Sequence, residues 1–429
     1  MSKIFESVLC EQIMSYFGNK LSNELSAYRS KYSCRNVILK CVEDWMLSLD
    51  KNEKVGCVAM DLSRAFDSIP HGLLIAKLNA YGVNENACKL IRNYLSERKQ
   101  RVKLGNTRSE WLCVKRGIPQ GSLMGPVLFN IFVNDLVMKL ENVTSVYNYA
   151  DDNTLSYSHS DVNIVKQKLE IACEISVQWF TNNYMKANPD KFQYMVVSSK
   201  PCETISLSIR DTEIKPSENI CILGVTLDSR LSFTAHIGEI VKRCSKQTNA
   251  ISRLMHVLDT NCKIKILDAF IMANFNYCSV VYHGCKKTEA RNLEKMLKRV
   301  LQFVYCDFDS TYLDLLTKAR KSSLYVHRQR EILLSVHKII NGLMPPMLPS
   351  FFYKKLSNYA HRDVVRLDQR TFNTMTYGFF SVRYQGAKLW NELPRDFKDK
   401  DYNDFRYLIK LYDFKCSCGN CFLCTLNGF

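Results

Sequence analysis

Two adjacent carboxylates, Asp151 and Asp152, follow Val146-Tyr147-Asn148-Tyr149-Ala150 and precede Thr154-Leu155-Ser156-Tyr157. Both flanks are rich in β-branched and aromatic residues, which predicts two strands with the acids at the tip of a tight hairpin. Carboxylates side by side repel, and a cation is the usual compensation. Oxygen-only ligands suit Mg²⁺ or Mn²⁺. An Asp-Asp pair on an ordinary polar turn is the competing reading. A second acid site lies upstream. Val55-Gly56-Cys57-Val58-Ala59-Met60 is short, apolar and uncharged, and it ends in Asp61. That pattern predicts a buried strand delivering an acid at its C-terminal end, although a helix N-cap or turn acid fits Asp61 as well. Between the two sites runs Arg116-Gly117-Ile118-Pro119-Gln120-Gly121-Ser122-Leu123-Met124-Gly125-Pro126. It predicts a rigid loop with accessible backbone, followed by a buried helix from Val127 to Leu136. Such a loop and helix start can meet an anion or a planar base.

The order of these three segments resembles the reverse transcriptases. Asp61-Leu62-Ser63-Arg64-Ala65-Phe66-Asp67 is similar to the family's first palm motif, Gly117-Ile118-Pro119-Gln120-Gly121-Ser122 to the second and Tyr149-Ala150-Asp151-Asp152 to the third. Asn188-Pro189-Asp190-Lys191 resembles the fourth, and Ile222-Leu223-Gly224-Val225-Thr226-Leu227-Asp228 the primer grip. The runs Leu25 to Ser30, Arg98 to Val102, Leu128 to Phe132 and Gly386 to Asn391 resemble the non-LTR, LINE-type and jockey-like members. The likeness is fullest from about Leu25 to His236.

The resemblance implies an RNA-directed DNA polymerase that extends a DNA primer with dNTPs on an RNA template. It implies Asp61 and Asp151 as shared Mg²⁺ (or Mn²⁺) ligands, the Leu62 carbonyl as a further ligand, and Asp152 in a secondary role. Phe66 would lie under the sugar of the incoming nucleotide and exclude a 2′-hydroxyl, or it is ordinary core. Gln120 and Gly121 would support the nucleotide and template. Lys191 would protonate pyrophosphate, or it is solvated surface. Arg29, Lys31 and Arg35 are candidates to grip the triphosphate. The implied fold is α/β (α+β), a right-hand polymerase with an antiparallel palm sheet backed by helices and a helical thumb. The expected domains are 1–236 (fingers and palm), 237–304 (thumb-like helices) and 305–429 (a mostly helical C-terminal region). The family's upstream endonuclease and the earliest fingers are expected to be missing, which leaves a truncated or domesticated copy that only binds RNA as the alternative function.

Other segments must position these residues. Pro70 opens a helix over Gly72 to Tyr81, stopped at Gly82. Ile164, Leu169, Ala172, Ile175 and Trp179 at helical spacing predict a helix from Asp161 to Phe180 on the back of the sheet, with Tyr194 to Ser198 as the next strand. Residues 200–219 alternate as a hairpin. A basic helix from Ile237 to Leu258 would track a duplex, or it is a solvated bundle helix. A helix is expected from Leu324 to Gly342.

The formal charge is +17, which makes a polyanion the expected partner. Basic residues are dispersed, with Arg98, Lys99, Arg101 and Lys103 in one run. Tyr94, Trp111, Trp179 and Tyr184 read mostly as core. The 18 cysteines form no even framework, and no apolar run reaches membrane-spanning length. Reduced thiols in nucleus or cytoplasm fit, with no membrane partner. Cys416, Cys418, Cys421 and Cys424 could enclose one Zn²⁺, or they cluster by chance in a cysteine-rich chain.

Overall fold

A computed structural model describes residues 2–60, 65–186, 189–203, 205–253, 257–355 and 366–414. The chain divides into two compact units. The first comprises residues 1–37, 54–196 and 200–217, and the second 38–53, 197–199 and 218–429.

In chain order the first unit contains helix α1 (Ser2–Phe17), the start of α2 (Cys34–Asp50), strand β1 (Lys54–Met60), and helices α3 (Ala65–Ser68), α4 (His71–Ala80) and α5 (Glu85–Leu95). Four short strands follow: β2 (Lys99–Gln100), β3 (Lys103–Leu104), β4 (Thr107–Arg108) and β5 (Leu112–Cys113). Helix α6 (Met124–Glu141) leads to β6 (Ser145–Tyr149) and β7 (Asp152–His159). Helix α7 (Val162–Asn182), β8 (Gln193–Val197), β9 (Leu207–Ile209) and β10 (Thr212–Ile214) come last. The central sheet has the order β6-β7-β1-β8, with β1 and β6 both antiparallel to β7. This is mixed helix and antiparallel sheet, in keeping with a right-hand polymerase.

The elements follow from their residues. Pro70 precedes α4 in extended backbone, and its missing N–H costs nothing at a helix start. Asp161 caps α7 by accepting from the Asn163 amide. Helix α7 lies so close to β1 that a Cβ at Gly56 would stand 2.5 Å from Val165 Cγ1 and 2.6 Å from Leu169 Cδ1. Helix α6 is longer than its pattern suggested, and it buries Val127 to Asn134 without a break. Apolar side chains around its circumference mark a helix covered on all sides. Two aromatics expected in the core are outside it: Trp111 is 55% exposed and Tyr184 65%. Trp179 is buried as expected.

The second unit holds the hairpin β11 (Asn219–Ile222) and β12 (Val225–Asp228), which turns through Leu223 and Gly224, both at positive φ. Tyr277 latches the turn by donating its hydroxyl to the Leu223 carbonyl, 2.6 Å away. Helix α8 (Thr234–Ser252) follows and ends six residues before Leu258. Helices Lys287–Tyr305, Leu324–Ile340 and Val382–Glu392 complete most of the packing. Residues 38–50 of α2 belong to this unit and are held from its far end. Glu43, 2% exposed, accepts from the Val382 and Arg383 amides at 2.6 and 3.0 Å. Arg383 also donates to Asp44 at 2.5 Å. Asp50 accepts from the Thr374 amide and hydroxyl at 2.7 and 2.8 Å. Burial pushes the Glu43 carboxyl up against the opposing pull of Arg383 and the two amides.

Candidate active site

The β6–β7 hairpin turns in two residues. Tyr149 pairs with Asp152, which leaves Ala150 and Asp151 as the central pair. Ala150 has φ of +56°, a region in which a Cβ is crowded. Asn148 holds the turn in that state. Its fully buried side chain donates to the Ala150 carbonyl at 2.9 Å and to Asn153 Oδ1 at 2.7 Å. Its carbonyl accepts from the Ser26 amide at 3.3 Å, which ties the segment around Leu25 to the hairpin. Asp151 therefore sits half-buried and Asp152 exposed at the end of the sheet.

Strand β1 runs alongside β7 with Met60 opposite Asn153. The residue before Asp61 thus stands in register one position from Asp152. Asp61 and Leu62 lie outside the described residues, as do Cys416, Cys418, Cys421 and Cys424. Among the described residues no three His, Cys, Asp or Glu side chains gather as a metal-holding group.

Phe66 and its surroundings are described. Its half-buried ring stacks on Phe129, with centroids 4.3 Å apart and planes at 19°. Tyr28 meets it edge-on at 6.4 Å and 89°. Burial raises the Tyr28 hydroxyl pKa, and the nearby Asp151 charge raises it further. Tyr28, Phe66 and Asp151 therefore share one neighbourhood. The Tyr149 hydroxyl is pushed up to about 12, first by its hydrogen bond with Cys34 and then by burial.

The Gly117–Gly121 loop is stitched to the segment after Phe66. The Gly117 amide donates to the Ile69 carbonyl at 2.8 Å, and the Ile118 amide to the Phe66 carbonyl at 3.0 Å. Gly117 has φ of +87°, and a Cβ there would stand 2.8 Å from the Asp67 carbonyl oxygen, so the position demands glycine. Gln120 donates to Asp67 Oδ1 at 3.1 Å, and Gly121 follows at φ +81°. Behind the loop, Glu6 accepts from the Ser122 hydroxyl at 2.8 Å and the Leu123 amide at 2.7 Å, capping α6 from elsewhere in the chain. Burial works to raise the Glu6 carboxyl, but Ser122, the two helix-start amides and Arg98 hold it below its ordinary value.

Two further expected nucleotide contacts are described. Lys191 is exposed in the single turn Pro189–Lys191 ahead of β8. The Arg29 guanidinium is committed to the Ser22 and Leu25 carbonyls at 2.5 and 3.0 Å, so it braces its own loop. Tyr28, Asn148, Asn153 and Asp67 were not anticipated. Tyr28 lay in the similar run from Leu25 to Ser30, Asp67 at the end of the run similar to the first palm motif, and Asn148 in the strand pattern before Asp151, but no role was read for any of them.

Residues 1–227, more than half of the chain, match the family described as reverse transcriptase (RNA-dependent DNA polymerase). The chain belongs to the reverse transcriptase family. Its relatives are of the LINE, non-LTR type. It is 25% identical over 278 residues to the probable RNA-directed DNA polymerase from transposon BS of Drosophila melanogaster, covering 60% of this chain and 29% of that protein. It is 21% identical over 284 residues to the RNA-directed DNA polymerase from mobile element jockey of the same organism, covering 64% and 31%. This reverse transcriptase chain thus spans less than a third of the length of those relatives. Among solved structures, telomerase from Candida albicans, in complex with a TWJ fragment of telomeric RNA, aligns with a TM-score of 0.43 and 13% identity. That alignment covers 75% of this chain and 57% of the telomerase. Reverse transcriptases generally use divalent metal ions, and no described helix here is long and apolar enough to cross a membrane.

Proposed function

We propose that this reverse transcriptase is an RNA-directed DNA polymerase that adds deoxynucleotides to a DNA primer on an RNA template, serving retrotransposition in nucleus or cytoplasm. The observation that carries this reading is the register that sets Met60 opposite Asn153 while the two-residue turn presents Asp151. It supports Asp61 and Asp151 as shared ligands for Mg²⁺ or Mn²⁺, with the Leu62 carbonyl and Asp152 beside them. When bound, two such ions about 4 Å apart stabilise the entering and leaving oxygens of phosphoryl transfer.

The chain's own residues do the positioning. Phe66, whose packing on Phe129 and Tyr28 supports a fixed ring there, leaves no room for a 2′-hydroxyl. Gln120, steadied by Asp67, and the Gly121 backbone support the incoming nucleotide and template. Lys191 supplies the proton to departing pyrophosphate. Residues 1–236 act as fingers and palm, 237–304 as thumb and 305–429 as an appended helical region. The +17 charge suits the nucleic-acid partners.

The test is extension of a DNA primer on an RNA template with Mg²⁺ and dNTPs. Asp151→Ala should abolish it, and extension that survives that change overturns the site. Phe66→Ala should gain ribonucleotide use, read as extension with rNTPs.

A further inference from the structure

The arm between α5 and the Gly117–Gly121 loop has no part in the site just described. Strands β2 and β5 pair at its base, and β3 and β4 pair at its tip. Every residue from 99 to 113 is exposed. Among them are Val102 at 71%, Leu104 at 83%, Trp111 at 55% and Leu112 at 67%. A cluster of large apolar side chains left in water marks a surface that something else covers.

The charge on the arm selects what covers it. Residues 98–116 contain Arg98, Lys99, Arg101, Lys103, Arg108, Lys115 and Arg116 against the single acid Glu110. Among the described residues none of Lys99, Arg101, Lys103 and Arg108 is ion-paired. Apolar side chains and cations alternate along one ribbon. Seven cations against one acid draw a polyanion to such a ribbon. The Arg101 guanidinium lies over the Trp111 ring, 4.4 Å from its centroid. It covers one face of the indole and leaves the rest of the exposed ring as a platform. Such a platform accepts a nucleobase only where the base is unpaired, because bases in a duplex already cover one another.

We propose that the arm Lys99–Cys113 is a binding surface for unpaired nucleic acid, with Trp111 as stacking platform and Arg101, Lys103 and Arg108 on the phosphates. The proposal draws on the polymerase reading only for the presence of a single strand near the enzyme. Stacking tolerates every base, so the surface takes unpaired RNA and DNA alike.

The experiment is fluorescence anisotropy with the full chain, using a labelled unstructured RNA of about 20 nucleotides, the DNA of the same sequence, and a blunt RNA–DNA hybrid. Trp111→Ala should weaken binding of both single strands about tenfold and leave the hybrid within about twofold. Arg101→Glu with Lys103→Glu should weaken single strands as much and flatten their salt dependence. All three positions are exposed, so the variants should keep the wild-type melting temperature. Single-strand affinity that stays at wild-type level in both variants overturns the proposal. So does an equal loss for hybrid and single strands, or a dimer that Trp111→Ala dissociates with RNA affinity unchanged. Primer extension by Asp151→Ala is read separately: if that variant still extends primers, the active-site assignment falls while the binding result for the arm stands.

Discussion

The β6–β7 hairpin and the arm from Lys99 to Cys113 are both antiparallel ribbons of the same unit, built on opposite terms. The first is buried up to its tip. The Asn148 amide nitrogen is spent on the Ala150 carbonyl and on Asn153 Oδ1, and Ala150 is kept at positive φ. The second has two residues per strand, every side chain in water, and a hydroxyl–amide bond from Val102 to Ser109 Oγ among its few braces. Chemistry at Asp151 needs a carboxylate fixed to fractions of an ångström, and a strained turn persists only where its surroundings over-determine it. A surface that tolerates any base needs reach and exposed faces.

That contrast predicts which substitutions act on turnover and which on stability. Asp151→Asn keeps the shape of the turn but removes the charge. Extension should fall by more than about a thousandfold, with an unchanged melting curve. Asn148→Ala takes away both bonds that hold the turn. It should cost about 1–3 kcal/mol in denaturant unfolding, with extension reduced at least about tenfold by misplacement of Asp151. An Asn148→Ala protein with full stability would show that the turn holds itself. Glu6→Ala tests the cap behind Gln120 and Gly121. The folded carboxyl titrates below its ordinary 4.5, so its contribution is fully present above that pH and lost as pH falls through the lowered folded value. The variant should lose about 2 kcal/mol at pH 7, and the gap from wild type should narrow as pH falls below 4.5. Ala150→Gly should have the smallest effect. Relief at positive φ and added chain entropy nearly offset, leaving stability within about 1 kcal/mol and extension within a few-fold of wild type.

What the sequence revealed about the site was local. Flanks rich in β-branched and aromatic residues marked β6 and β7, a short apolar run marked β1, and glycine and proline marked the loop over Gly117 to Gly121. What it hid depends on residues far apart in the chain. Nothing near Glu6 announces that it caps a helix beginning at Met124. Tyr28 becomes a neighbour of Phe66 only once Asn148 has tied the Leu25 segment to the hairpin. Trp111 was misjudged for another reason: an aromatic beside leucine looks apolar to any pattern, and only the two-residue strands reveal that no layer exists above it.

The anchoring of Glu43 by Val382 and Arg383 bears on how this protein can be dissected. The family match stops at residue 227, which invites trimming the chain there. Doing so would strip an early helix of the amides and guanidinium that compensate its most deeply set anion, and would unseat Asp50 from Thr374. The trimmed fragment would have to take up a proton or admit water at that helix. The tail is therefore part of what holds residues 38–50 in place.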